Sequence, residues 1–170
     1  MSERADPSSD AASDDDDSLI TPAMQAAIGS EGEPVRVEIS REVVRRMAEA
    51  LDEDNPEILA AIDGDDPHPV VPPYALICII SHMSEMKVPD VPGHGLMAAD
   101  DWSYTNPVRV GDRITVRPRI AEIQERIGGR VGHSLFVHHE WICTNQDDVE
   151  IARVRRTIAH YPDRKPAPGS

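Results

Sequence analysis

The most apolar stretch of the chain, VVPPYALICIISHMSEM at residues 70–86, predicts a buried helix. Its two prolines suit a first helical turn, where φ is preset and the amide N–H groups lack an intrahelical acceptor. Three isoleucines make a strand the alternative, but the proline start and the length of the stretch favour a helix. The stretch is too short to cross a membrane, which takes about 20 apolar residues. Because it is apolar around nearly its whole circumference, we expect other elements to enclose it.

A strand and a helix are predicted upstream of this stretch. Apolar and polar residues alternate from position 35 to position 39, which is the period of a half-buried strand. Ser40 can then cap a helix whose apolar face comprises Val43, Val44, Met47, Ala48 and Leu51. The opposite, charged face includes Arg41, which we expect to be solvated. Residues 57–66 are expected to form a loop or a loose helical turn before the central helix.

Four segments rich in β-forming residues follow the central helix, at 96–104, 114–127, 133–144 and 149–160. Turn sequences separate the last three of them at hairpin distances, and Gly111 with Asp112 precedes the second. The predicted order of elements is therefore a strand, a helix, the central helix and then an antiparallel meander. Since those strands need an apolar body to cover them, the predicted class is α+β, with a sheet wrapped around one long central helix.

The formal net charge of −14 is concentrated in the first part of the chain. Residues 1–66 hold 19 acidic and 5 basic side chains, whereas residues 67–170 hold 12 of each. Such an acidic balance argues against nucleic acid or an anionic membrane as the main partner. We expect a disordered acidic tail at 1–17, one domain at 18–161 and a flexible tail at 162–170.

The cysteines and histidines give no sign of a metal site. Cys78 and Cys143 stand in apolar stretches, so both are predicted to be reduced core residues. His138 and His139 are neighbours in a predicted strand, where adjacent side chains point to opposite faces and cannot share a ligand. No secretory signal is visible at the N-terminus, so a cytoplasmic location is the expectation.

Several short motifs stand in a recognisable order along residues 18–161. They are LIT at 19–21, EPV at 33–35, AEA at 48–50 before DNP at 54–56, VPP at 71–73, PGHGL at 92–96, NPVRVGD at 106–112, ER at 125–126 and, after Glu140, NQ at 145–146. Together these motifs resemble the N-terminal type of MaoC-like dehydratase domain, a hotdog fold related to the dehydratase of fungal fatty-acid synthase.

This resemblance implies an acyl-thioester substrate, carried by coenzyme A or by acyl carrier protein, and the addition or removal of water at a 2,3-double bond. Such lyase chemistry in fatty-acid metabolism needs a carboxylate and an imidazole to position water, and an N–H donor for the thioester oxygen. It implies no cofactor and no metal beyond the coenzyme A of the substrate.

The chain departs from the catalytic pattern at two places. Catalytic members carry Asp-x-Asn-Pro-x-His, but here Glu53 and Ile58 occupy the acidic and histidine positions. Where catalytic members resemble His-Gly at the helix start, this chain has Pro72 and Pro73, which lack an N–H. Tyr74, at the next position, could supply the donor instead.

These departures predict a substrate-binding, catalytically degenerate half of a hotdog pair, in a homodimer or a heterodimer with a second hotdog subunit. An autonomous hydratase or thioesterase is the first alternative, with Glu53, Asp54, His68 and His94 as candidate catalytic residues. A non-enzymatic acyl-CoA-binding protein is the second alternative.

Substrate-binding residues are expected at Asn55, Tyr74, Gly95, Arg113 and Arg117. The last two belong to a row of arginines at 109, 113, 117 and 119 on one side of a predicted strand. The row predicts either a solvated sheet face or a cradle for the phosphates of coenzyme A, since guanidinium groups pair with phosphate bidentately. Trp102 and Tyr104, on one face of another strand, are expected in the core or in an interface.

The acidic tail is predicted to be dispensable for folding, because its composition cannot bury enough apolar surface to offset the cost of ordering it. Deleting residues 2–17 is expected to leave the melting temperature nearly unchanged in differential scanning calorimetry. A loss of several degrees, or loss of the oligomer in gel filtration, would contradict this prediction.

Overall fold

The computed structural model describes residues 18–80, 85–128 and 132–162. Their elements, in chain order, are α1 (Pro22–Ala27), β1 (Val35–Glu38), α2 (Arg41–Ala50), α3 (Pro56–Asp63), α4 (Tyr74–Ile80), β2 (His94–Tyr104), β3 (Arg113–Gly128), β4 (Gly132–Thr144) and β5 (Glu150–Tyr161). The predicted tail at 1–17 lies outside the described residues, as does all of the predicted tail at 162–170 except its first residue.

The five strands form one sheet in the order β1-β3-β4-β5-β2, and every neighbouring pair is antiparallel. The four predicted β segments are confirmed, with ends that differ by only one or two residues. Strands β3, β4 and β5 form the centre, and β1 and β2 form the two edges. The predicted α+β class is therefore confirmed.

The central helix is confirmed at its start, where α4 begins directly after the two prolines. It was predicted to extend to Met86, but Met86 is not helical, and residues 81–84 lie outside the described part of the chain. Ala75 and Leu76 are fully buried in one cluster with residues of the sheet. Ile77 is 38% exposed, so the expectation that other elements enclose the helix on all sides is wrong.

The two cysteines differ in their surroundings. Cys143 lies in the core as predicted, and burial raises the pKa of its thiol to about 12. The prediction that Cys78 is a core residue is wrong, because this side chain is exposed. It lies on the part of α4 that the sheet does not cover.

Helix α2 begins as predicted, with the Ser40 hydroxyl accepting a hydrogen bond from the amide of Val43. Its buried face is narrower than predicted, because Val44 and Ala48 are buried whereas Val43 and Leu51 are exposed. The hydrophobic period identifies the side of a helix that faces the core, but the width of the contact depends on the elements that pack there.

Helix α3 occupies residues that were predicted to be a loop or a loose helical turn. The side-chain oxygen of Asn55 caps it by accepting from the amide of Glu57, and Pro56 takes the first helical position, where no amide donor is needed. Asn-Pro is a helix-start signal, so the sequence contained the information that was missed.

Arg41 connects the two helices, and the prediction that it is solvated is wrong. Its Nη1 atom donates to the carbonyls of Ala61 (3.2 Å), Ile62 (2.5 Å) and Gly64 (3.4 Å), and Nη2 donates to the carbonyl of Asp66. The last carbonyls of a helix have no intrahelical donor, so the guanidinium satisfies groups that would otherwise need water. Arg41 thereby positions the end of α3 and the segment that leads to α4.

Replacing Arg41 with alanine should therefore destabilise the domain. Hydrogen bonds to a charged group contribute about 1.5–3 kcal/mol, so the free energy of unfolding is expected to fall by about that amount. Chemical denaturation monitored by circular dichroism measures it. Arg46→Ala is the matched control, because Arg46 is on the same helix and its side chain is 72% exposed. Equal losses in the two variants would contradict the assignment.

Glu125 holds the start of the described chain against strand β3. Its carboxylate accepts hydrogen bonds from the Ser18 hydroxyl (2.8 Å) and the Leu19 amide (2.6 Å), and it contacts Nε2 of His133. The Leu19 amide is the largest of several causes that lower the pKa of Glu125; Ser18 and His133 add to it. These contacts of Glu125, which we call the Glu125 clamp, anchor the segment that leads into α1. Met24 of α1 is fully buried.

The Glu125 clamp predicts a pH-dependent stability. Because the folded state lowers the pKa of Glu125 from 4.5, the carboxylate stabilises the fold above pH 4.5, and this contribution is lost as the pH falls through the lowered pKa. Glu125→Gln should be less stable than the unmodified protein at pH 7, and the difference should shrink below pH 4.5. Denaturation at several pH values tests it; a difference that stays constant down to pH 3 would contradict it.

Candidate functional site

The candidate site surrounds the start of α4, where two grooves share Val70, Val71 and Pro73. The first groove, of about 340 Å³, continues along residues 104–108. The second, of about 500 Å³, continues along α3 and the loop before α4. The backbone joins these walls, since the Val71 amide donates to the carbonyl of Val108, and the Tyr104 hydroxyl donates to the carbonyl of Pro73.

Glu53 and Tyr74, two of the predicted site residues, lie close together in the fold. Glu53 is half-buried, and its Oε1 atom accepts from the Asn55 amide at 3.0 Å. The Tyr74 hydroxyl is buried and makes no hydrogen bond of good geometry to a described residue. Burial, followed by the neighbouring Glu53 carboxylate, raises the pKa of Tyr74 to about 12. At neutral pH the Tyr74 hydroxyl is therefore protonated, and the protein encloses it close to Glu53.

The other residues of the motif segment at 53–58 have mainly structural roles. The side-chain oxygen of Asn55 caps α3, so this acceptor is already engaged. Asp54 is exposed to solvent. Ile58, at the position that the resemblance gives to histidine, is half-buried, packs against the main core cluster and lines the second groove. The segment thus keeps its helix-start geometry without an imidazole.

His68 lies in the loop before α4, and its ring holds that loop in place. Nδ1 is 3.1 Å from the carbonyl oxygen of Val110, and the His68 carbonyl accepts from Nη1 of Arg109 at 3.0 Å. Gly111 has a φ of +89°, and a Cβ there would lie 3.3 Å from Nδ1 of His68. The loop geometry therefore requires both the close approach and the left-handed backbone of this glycine.

His94 and Gly95 are not brought to the start of α4. They open strand β2, whereas Tyr104, which contacts Pro73, closes it. Ten steps of about 3.3 Å along a strand separate these ends by roughly 33 Å. Gly95 instead allows the ring of His160 to lie close, since a Cβ on Gly95 would be 3.0 Å from its Cε1 atom.

The row of arginines on β3 is divided between two environments. Arg119 donates to Glu140 at 2.6 Å and is held in an ion pair. Arg113 is exposed, and Arg117 is half-buried and donates to the Thr144 hydroxyl at 3.2 Å. Together with Arg36 of β1, the latter two line a groove of about 530 Å³, which we call the arginine groove.

Sequence reasoning missed the contribution of Arg36 to this groove and a polar cluster on the inner face of the sheet. In that cluster the Arg156 guanidinium makes two hydrogen bonds to Asp100, at 3.1 and 3.2 Å, and lies over the Trp141 ring. Opposite Arg156 in the register is His139, whose pKa is lowered by burial. Contacts between strands far apart in sequence create both features, so periodicity alone gives no signal for them.

Trp102 and Tyr104 lie beside the first groove. Their rings stack with centroids 6.0 Å apart, and Trp102 is partly buried against the core, as expected. Among the described residues, no group of three or more His, Cys, Asp or Glu side chains is placed to hold a metal ion. No helix in the described part of the chain is long and apolar enough to span a membrane.

Solved structures with the same fold include several dehydratases. The MaoC-like dehydratase from Rhodospirillum rubrum has a TM-score of 0.57 and 15% identity, over 82% of this chain and 95% of that chain. The ChsH1-ChsH2 complex from Mycobacterium tuberculosis has a TM-score of 0.61 and 16% identity, over 84% and 90%. The HadBC (3R-hydroxyacyl-ACP dehydratase) complex from Mycobacterium tuberculosis has a TM-score of 0.53 and 23% identity, over 78% and 96%.

The sequence of the chain also resembles a known protein family. Residues 26–154 match the protein family described as FAS1-like, dehydratase domain region. No curated protein sequence matches the chain. Because the family match covers well over half of the chain and the structure shares its fold with MaoC-like dehydratases, the protein belongs to the FAS1-like dehydratase-region family of MaoC-like hotdog domains.

Proposed function

We propose that this chain is the substrate-binding, catalytically degenerate half of a hotdog pair that hydrates 2-enoyl thioesters or dehydrates 3-hydroxyacyl thioesters. The observation that carries this proposal is the position of Ile58, which packs against the core where the motif of catalytic members has its histidine. A partner subunit supplies the imidazole and the carboxylate, while this chain shapes the acyl-binding grooves beside α4.

The charged and polar groups near the motif support binding rather than proton transfer. Hydration needs a base whose pKa is near the working pH. The Tyr74 phenol, with a pKa of about 12, stays protonated at neutral pH and can only donate a hydrogen bond. The His68 ring is engaged with the Val110 carbonyl, and His94 lies at the far end of β2. Neither of these two imidazoles is therefore placed to act together with Glu53.

The start of α4 offers limited stabilisation for a thioester oxygen. Pro72 and Pro73 have no N–H, and their carbonyls accept from the amides of Ala75 and Leu76. Tyr74, the first helical residue, is at a position whose amide has no acceptor within the helix. We assign the Tyr74 amide, directly after the groove residue Pro73, and the side chain of Asn55 to holding the thioester.

A second hotdog subunit is supported by the exposed edge of the sheet. Strand β2 pairs with β5 on one side, and no other described strand pairs with its second side. Leu96 is 62% exposed and Met97 is 58% exposed on this strand. An edge strand with exposed apolar side chains is a template for pairing with another chain. The HadBC and ChsH1-ChsH2 structures, which share the fold, are complexes.

An autonomous hydratase is the second candidate, and the proximity of Glu53 to Tyr74 favours it. In that reaction the Glu53 carboxylate would deprotonate the water, and the Tyr74 phenol would donate to the developing oxygen charge. This candidate and the degenerate subunit predict opposite results for the isolated chain.

The isolated chain is expected to show no appreciable hydration of short or long 2-enoyl-CoA substrates. The missing imidazole removes the general base, and loss of one oxyanion donor alone costs about 100-fold to 1000-fold in rate. Loss of the enoyl-thioester absorbance measures turnover. A homologous hotdog subunit that carries Asp-x-Asn-Pro-x-His should restore activity when it is mixed with the chain.

Four variants test whether the isolated chain is itself catalytic: Glu53→Ala, Asp54→Ala, His68→Ala and His94→Ala. Robust turnover by the isolated chain that any one of them abolishes would overturn the partner proposal and make that residue the acid or base. Binding of acyl-CoA without turnover, alone and with every homologous partner, would instead favour a non-enzymatic acyl-CoA-binding protein.

A further inference from the structure

The arginine groove lies on the outer face of the sheet, where β1 pairs with β3. Arg36 and Thr115 are opposite one another in the register, and Thr115 is also opposite Thr144 on β4. Asn145, Gln146 and Asp148, in the turn after β4, also line the groove. Its volume of about 530 Å³ falls in the range of small-molecule sites, roughly 300–1,000 Å³.

The arginines of this groove differ from the others on the same face of the sheet. Outside the groove, Arg119 and Arg153 pair with Glu140, and Arg155 pairs with Glu122. By contrast, the guanidinium groups of Arg36 and Arg113 make no hydrogen bond or ion pair with any described residue. Two guanidinium groups without a partner among the described residues therefore line one groove.

Further donors surround the same space. Arg117 donates to the Thr144 hydroxyl and is 4.0 Å from Asp148, a distance at the limit of an ion pair, so most of its N–H groups remain available. The side-chain oxygen of Asn145 accepts from two backbone amides of its own turn, which leaves its NH₂ group to donate. The groove is therefore rich in donors.

The groove has a small excess of positive charge. Its three arginines face two carboxylates, Glu38 and Asp148, which leaves a net charge of plus one. An anion must therefore bind between the guanidinium groups rather than anywhere in the groove. Guanidinium groups bind phosphate through two parallel N–H···O bonds and also stack on aromatic rings. A phosphorylated nucleoside can use both kinds of contact.

We propose that the arginine groove binds the phosphate-bearing nucleotide end of an acyl-coenzyme A thioester, through Arg36, Arg113 and Arg117. This inference rests on the proposed acyl-thioester function and assigns its carrier as coenzyme A rather than acyl carrier protein. A carrier protein needs a contact surface of about 800 Å² on each partner, whereas this groove is concave and of small-molecule size.

The fold connects this groove to the motif segment. Glu38 lines the groove at the end of β1, and α2 follows two residues later and leads to Glu53. The helix that joins the two regions has ten residues and is about 15 Å long. An extended phosphopantetheine arm can span such a separation, with the nucleotide in the groove and the thioester near Tyr74.

Isothermal titration of the full chain with coenzyme A, and with 3′-phosphoadenosine 5′-phosphate as the nucleotide end alone, tests the proposal. The double variant Arg36→Gln/Arg113→Gln is expected to weaken both affinities at least about tenfold, because each lost charged hydrogen bond has an effect of that order. Arg117→Ala should also weaken binding. Raising the salt concentration should weaken binding to the unmodified protein, since exposed charges are screened over about 8 Å at physiological ionic strength.

The control Arg45→Gln/Arg46→Gln removes the same two charges from α2, outside the groove. It should leave both affinities within about twofold, and all variants should keep the melting temperature of the unmodified protein. Equal losses in the control, or tight binding of pantetheine without phosphate, would overturn the groove assignment. Groove-dependent binding of acyl carrier protein without binding of the nucleotide would overturn the assignment to coenzyme A.

A turnover assay with a hotdog partner separates this inference from the proposed function. The groove variant should slow hydration of the coenzyme A thioester but not of the N-acetylcysteamine thioester, which has no phosphate. Equal rates on both substrates with the groove variant and the unmodified protein would overturn the groove assignment and leave the proposed function intact. Groove-dependent nucleotide binding without turnover by any pair would support the groove and count against the function.

Discussion

The packing of one side of α4 against the sheet is the contact on which the rest of the domain depends. Ala75 and Leu76 are fully buried with residues of β3, β4 and β5, and burying a large aliphatic side chain contributes roughly 1.5–3 kcal/mol. Because the sheet covers only that side, Ile77 stays exposed. Among the described strands, the edge strand β2 pairs with β5 alone. The packing that stabilises the core therefore leaves part of α4 uncovered.

Hydrogen bonds at both ends of α3 hold the motif segment in place beside the start of α4. Arg41 fixes the end of α3, and Asn55 fixes its beginning, so the motif segment keeps a definite position. Within this segment Ile58 packs against the core, at the position that the resemblance gives to histidine. Glu53 and Tyr74 remain as a carboxylate and a protonated phenol. The proposal of a binding role for this chain rests on these residues.

Much of the fold was predictable because its signals are local. Turn sequences delimit the hairpins, and Gly111 and Gly128 take the positive φ that such turns require. Ser40 marks the start of α2 because its side chain can cap the first turn of a helix. The errors arose where a distant element decides the outcome. Cys78 is exposed because the sheet leaves one side of α4 uncovered. The Arg41 guanidinium donates hydrogen bonds to backbone carbonyls because α3 ends beside it.

The sequence by itself determined the order of helices and strands, the family and the absence of a histidine from the motif, because periodicity, caps and motifs each span only a few residues. Only the tertiary structure decided which candidates meet. It places Glu53 beside Tyr74, sets His94 at the far end of β2, and joins Arg36 to Arg113 across two strands. These contacts follow from the strand order β1-β3-β4-β5-β2, which results from packing the whole sheet at once and which no local stretch of sequence specifies.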